Sequence, residues 1–80
     1  MNVSKEQVVV EEVLTAAIDG ARDARKNADA DPFEKGRLMA YYDIITVAKE
    51  QAAIMEVEFG DKSIAAFDPD ELLKPAKQAA

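Results

Sequence analysis

The sequence predicts an all-α protein, an antiparallel hairpin of two long helices followed by a short C-terminal helix. Apolar residues recur at helical spacing in two long stretches, and each stretch begins with a capping residue. Only residues 28–31 separate the two stretches, so the second helix is expected to turn back against the first. The 80-residue chain is 49% hydrophobic and 32% charged, a composition typical of a single folded domain.

The first predicted helix spans about residues 4–27. Ser4 and Gln7 have the spacing of a capping box, and Val3 and Val8 have that of a hydrophobic staple. The apolar residues that follow occupy one half of the helical wheel, and polar residues fill the other half. The three consecutive valines that start at Val8 are β-branched, and a strand is the competing interpretation. Helical periodicity over about twenty residues favours the helix.

The second predicted helix spans about residues 32–59. Asp31, Pro32 and Glu34 supply an N-cap, a proline at the first position and an acidic third residue. Gly60 is expected to end this helix. Its apolar residues cover about two-thirds of the wheel, more than one partner helix can cover. The C-terminal segment, a second copy of the chain or a different protein must cover the remainder.

Residues 61–80 form a predicted appendage to the hairpin of residues 1–60. Asp68 and Pro69 repeat the cap-and-proline start, which predicts a short helix over about residues 69–74. Both leucines of that helix are expected to be buried. The sequence leaves open whether the appendage packs on its own hairpin, exchanges between subunits or stays disordered until a partner binds.

A second copy of the chain is the partner that best fits the wide apolar arc, and the product is a homodimeric four-helix bundle. Basic residues surround the hairpin turn and acidic residues lie at the other end, so charge favours two copies packed antiparallel. Core burial is the favoured interpretation for Tyr41, and for Tyr42 the alternative to an interface role is that its ring covers a flank of the hairpin. The predicted partner or dimer interface consists of Tyr41, Tyr42, Ile44, Ile45, Val47, Ile54, Met55, Val57, Ile64 and Phe67.

Five basic residues near the turn are candidates for binding an anion. They are Arg22, Arg25, Lys26, Lys35 and Arg37. Four acidic residues lie among them, which leaves this stretch with a formal charge of only +1. If these basic residues bind phosphate, the alternative function is a nucleic-acid-associated accessory factor. The net charge of −6 for the whole chain argues against nucleic acid as a main partner.

The residue inventory argues against catalysis. The chain has no cysteine and no histidine, which removes thiolate chemistry, the commonest general base and the commonest metal ligand. Its sixteen carboxylates are expected to be solvated, with an all-oxygen metal site as the alternative. We therefore expect no enzyme, no cofactor and no metal, but a small acidic adaptor, inhibitor or regulatory subunit. The sequence shows no signal peptide or membrane span, and the cytoplasm is the expected location.

Overall fold

A computed structural model of the protein describes residues 4–74. All regular structure in that range is helical, as the sequence predicts. It consists of α1 (Lys5–Arg25), α2 (Pro32–Ile54), α3 (Lys62–Ala66) and a 3₁₀ helix (Pro69–Leu73). None of these helices is both long enough and apolar enough to cross a membrane.

The two long helices run antiparallel and enclose a core of small and branched side chains. Gln7, near the start of α1, contacts Glu58 beyond the end of α2, and Arg37 near the start of α2 contacts Gly20. The small residues of α1 let α2 approach closely. The buried core consists of Leu14, Ala17, Ile18, Ala21, Ala24, Ala28, Leu38, Ile45, Ile64, Phe67 and Leu72.

The start of α1 forms only one half of the predicted capping box. The Gln7 backbone amide donates to Ser4 Oγ at 3.0 Å, which satisfies one of the free amides of the first turn. The Gln7 side chain does not reach back to Ser4. Its amide nitrogen instead donates to the Glu58 carbonyl at 2.8 Å, a contact with a distant segment that local spacing does not reveal. The predicted staple partner, Val3, lies outside the described residues.

The α2 helix ends at Ile54, five residues before the predicted end. The Glu56 amide donates to the Ala53 carbonyl at 3.2 Å, and the Val57 amide donates to the Ala52 carbonyl at 2.8 Å. These two bonds form a Schellman motif. Glu56 occupies its left-handed position with φ of 57°, where glycine is the usual residue.

The prediction that Gly60 ends α2 is wrong, because residues 57–60 turn back toward α1. The Gly60 amide donates to Glu11 Oε2 at 2.7 Å, and the Glu58 carbonyl accepts from Gln7. These bonds tie the segment after α2 to the first half of α1. The α2 helix thus stops at a local Schellman motif with Glu56 in place of the expected glycine, and the long-range bonds hold the segment that follows it.

The C-terminal segment packs on its own hairpin over residues 61–74. Asp61 caps α3, a helix that was not predicted from the sequence. The short helix predicted over residues 69–74 forms as a 3₁₀ helix. It buries Leu72, but Leu73 is 50% exposed, against the prediction, since adjacent residues of one helix turn point in different directions.

Polar contacts fix the C-terminal segment to one face of the hairpin. Lys49 Nζ donates to the carbonyls of Ile64 at 2.7 Å and Ala65 at 3.0 Å. Its partial burial lowers the Lys49 pKa. The Tyr42 hydroxyl donates to Asp70 Oδ1 at 2.9 Å. We call this side of the hairpin the covered face.

Candidate functional site

The opposite side of the hairpin carries a set of large apolar side chains that no described residue covers. Ile44 follows Tyr42 by two residues and Val47 precedes Lys49 by two, so both point away from the covered face at about 100° per residue. On α1, Val13 lies nine residues before Arg22, whose guanidinium stacks over Phe67 of the C-terminal segment. We call this surface the open face. It comprises Val9 and Val13 of α1, the α2 residues Phe33, Ala40, Ile44, Val47 and Ile54, and Met55, which follows α2 directly.

The exposure of the open face is large for so small a protein. Ile44 is 56% exposed, Val47 is 57% exposed and Phe33 is 74% exposed. Isolated exposed apolar residues are ordinary, but a continuous apolar surface marks an interaction site. The open face runs along α2 from Phe33 to Met55 and includes Val9 and Val13 of the first half of α1, so a partner can bury it along the length of α2.

A groove lies where the start of α1 meets the end of α2. It encloses about 630 Å³, within the range of natural binding pockets. Val57 and Phe59 form part of its wall, because the Schellman motif and the Gly60–Glu11 bond turn their segment back toward α1. The apolar part of its lining consists of Val10, Ala48, Ala52, Met55, Val57 and Phe59. The groove adjoins the open face at Ala48 and Met55.

Charge is distributed unevenly along the hairpin. The far end, made of residues 5–12 and 50–62, holds seven carboxylates and two lysines, a formal charge of −5. The turn end, made of residues 22–38 and 68–74, holds seven carboxylates and six basic residues, a formal charge of −1. The predicted basic turn is therefore not net basic, because the C-terminal segment adds acidic residues there. The far end nevertheless remains more negatively charged than the turn end.

Three residues of the predicted interface belong to the core of the chain itself. Ile45 is 0% exposed, Ile64 is 2% exposed and Phe67 is 6% exposed. The C-terminal segment buries them against the hairpin, so they are not on the surface of the folded chain. This corrects their assignment to an interface.

The two tyrosines are half-buried and have contacts within the chain. The Tyr41 ring packs against Gly20, and the Arg37 guanidinium lies over it at 5.9 Å from the ring centre. Tyr42 lies on the covered face, where its hydrogen bond to the Asp70 carboxylate raises the Tyr42 pKa. Both therefore help to position the elements of the hairpin, and neither belongs to the open face.

The remaining predicted interface residues are exposed, namely Ile44, Val47, Ile54, Met55 and Val57. The open face also contains four residues outside the predicted interface, namely Val9, Val13, Phe33 and Ala40. Val9 and Val13 were assigned to the apolar half of α1, and a helical wheel does not show where that half leaves the core. The exposure of Phe33 is visible only once the turn is placed.

The five candidate anion-binding residues do not converge on one site. Arg37 donates to Glu34 Oε1 at 2.7 Å and to Asp23 Oδ2 at 3.2 Å, and these carboxylates raise its pKa. Arg25 donates to the Glu71 carbonyl at 2.8 Å, and Arg22 stacks on Phe67. Lys26 and Lys35 are exposed. The three arginines thus serve the fold of this chain.

Within residues 4–74, no group of three or more carboxylates is placed to hold a metal ion. Two carboxylates of the far end have partners within the chain: Glu11 accepts from the Gly60 and Gln7 amides, and Asp61 accepts from Ser63. Comparison of the chain with protein-family models, with curated proteins and with solved structures finds no match. The open face and the groove are the surface features of the described residues that indicate a binding function.

Proposed function

We propose that this chain is a small acidic, non-enzymatic protein that acts by protein–protein interaction, as an adaptor, inhibitor or regulatory subunit. The observation that supports this most is the open face, where side chains such as Ile54 and Met55 are 68% and 70% exposed. Each large apolar side chain that becomes fully buried contributes about 1.5–3 kcal/mol. A partner that covers several of them at once gains enough to offset the entropy of association. The proposed location is the cytoplasm.

The first partner that we propose is a second copy of the chain, which would complete a four-helix bundle. The C-terminal segment packs on the covered face of this hairpin, and the open face can pack against the open face of a second copy. Antiparallel packing places the far end, at −5, beside the turn end of the other copy, at −1. Parallel packing would place two ends of −5 together, which charge repulsion disfavours.

Nucleic-acid binding is the weaker alternative. Phosphate contacts need cations that are free to converge on the backbone. Arg22, Arg25 and Arg37 are already bound to groups of this chain, and the turn end is not net positive. These contacts support a structural role for the arginines.

A matched pair of substitutions tests the proposal. Ile44→Glu places a charge on the open face, whereas Leu73→Glu places the same charge at an exposed leucine of the C-terminal segment. We expect sedimentation velocity to show a dimer for wild type and for Leu73→Glu, and a monomer for Ile44→Glu. Circular dichroism checks that both variants remain helical. Equal masses for the two variants would contradict the assignment of the interface to the open face.

A further inference from the structure

An exposed aromatic side chain and an apolar groove lie at opposite ends of the same stripe of α2. Phe33, at the turn end, is 74% exposed, the largest fraction among the large apolar residues of the described chain. The groove begins at Met55, which is 70% exposed. Between them, Ala40, Val47 and Ile54 follow Phe33 at intervals of seven residues, the period of a helix-pairing seam.

The midpoint of this stripe decides how two copies can align. Phe33 and Met55 are 22 residues apart, which is about 33 Å along the helix axis. Ile44 lies halfway between them and is 56% exposed. If two α2 helices pair antiparallel with Ile44 near the twofold axis, each Phe33 lies level with the groove of the other copy.

We propose that Phe33 of each copy inserts into the groove of the other copy in an antiparallel dimer. This inference rests on the dimer proposed above and adds the two reciprocal contacts that fix its direction. The groove of about 630 Å³ is large enough for an aromatic ring, since a cavity of about 150 Å³ already holds benzene. Its walls, including Val10, Ala52 and Phe59, offer apolar contact to the ring.

A parallel dimer would not place Phe33 of one copy in the groove of the other. It would set Phe33 beside Phe33 of the partner subunit and leave both grooves empty. It would also bring Arg37 against Arg37 of the partner subunit, and the two acidic far ends together. The antiparallel arrangement instead places Arg37 near Gln51, a neutral residue at the edge of the groove.

A tryptophan reporter tests the contact directly, because the chain contains no tryptophan. Phe33→Trp places the only indole at the proposed contact, and Met39→Trp is the matched control on another side of α2, where Met39 is 40% exposed. We expect the emission of Phe33→Trp to be blue-shifted in the dimer and to move to longer wavelength on dilution. The emission of the control should not change on dilution, because Met39 lies outside the proposed contact.

A complementation experiment assigns the pocket. Phe33→Ala removes the ring and Met55→Asp places a charge in the groove, and each should weaken its homodimer about 100-fold, since two contacts are lost at about tenfold each. An equimolar mixture of the two variants should recover part of the affinity as a heterodimer, because one intact ring then meets one intact groove. Circular dichroism checks the fold of each variant.

The outcomes separate this inference from the dimer on which it rests. A monomer at every concentration would overturn both. A wild-type dimer in which the Phe33→Trp emission matches the control would overturn only the insertion of Phe33. A blue-shifted emission that persists in a monomer would show that the chain buries this residue itself, and would also overturn the insertion. Failure of the mixed variants to form a heterodimer would exclude the groove as the site.

Discussion

The two glycines within the long helices are expected to respond oppositely to alanine. A Cβ atom at Gly20 would lie 2.6 Å from Tyr41 Cζ and 2.8 Å from Tyr41 Oη, whereas a Cβ atom at Gly36 would meet nothing within 4 Å. Replacing glycine by alanine inside a helix stabilises a protein by about 0.5–1 kcal/mol when there is room. Gly36→Ala should therefore raise the free energy of unfolding by that amount.

The contact with Tyr41 should reverse the sign at Gly20. Overpacking costs about 1–3 kcal/mol, so Gly20→Ala should lower the free energy of unfolding by about 1 kcal/mol net. Urea unfolding followed by circular dichroism at one protein concentration measures both variants, with an unchanged m-value as the check that the states are comparable. In a Tyr41→Leu background the penalty should disappear. If Gly20→Ala stabilises wild type as much as Gly36→Ala does, the packing of Tyr41 against α1 is wrong.

Three further predictions concern the contacts that hold the hairpin and its C-terminal segment. Glu56→Gly should stabilise the protein by about 1 kcal/mol, because glycine adopts the left-handed conformation without strain, and a similar gain for Glu56→Ala in urea unfolding would contradict this. Lys49→Met should speed amide exchange in α3 but not in α1, because it removes both bonds to the α3 carbonyls, and unchanged exchange in α3 would refute the role of Lys49. The hydrogen bond to Asp70 raises the Tyr42 pKa above 10.0 in the folded chain. The stability that this bond contributes is therefore complete below pH 10.0 and is lost as the pH rises through the folded-state pKa of Tyr42. Unfolding midpoints should therefore fall more steeply with alkaline pH in wild type than in Tyr42→Phe. The lowered pKa of Lys49 makes a contribution to the pH dependence of stability that has the opposite sign, but it is the same in both proteins.

The beginnings of α1, α2 and the 3₁₀ helix could be predicted because their signals are local. Ser4, Asp31 and Asp68 each cap the helix that follows, as their spacing indicates. The end of α2 could not be predicted in the same way. It carries a glutamate in a conformation usually taken by glycine, and the segment after it is held by a hydrogen bond between Glu11 and Gly60, residues 49 positions apart.

The candidate interface was predicted only in part, because periodicity shows how wide an apolar arc is but not which side the rest of the chain covers. Ile44 and Ile45 are adjacent, yet one is 56% exposed and the other 0% exposed. Ile45 belongs to the core cluster to which α1, α2 and the C-terminal segment all contribute, whereas Ile44 lies on the open face. Deciding between two such neighbours requires the positions of α1 and of that segment around α2, which the helical pattern of α2 does not contain.

The solution mass of the full chain tests the central claim that the open face binds a second copy. Light scattering on a sizing column across a dilution series measures it without a label or a substitution. We expect a dimer with twice the chain mass of 8.7 kDa at high concentration, which dissociates toward a single chain on dilution. A mass of 8.7 kDa at every concentration would contradict it.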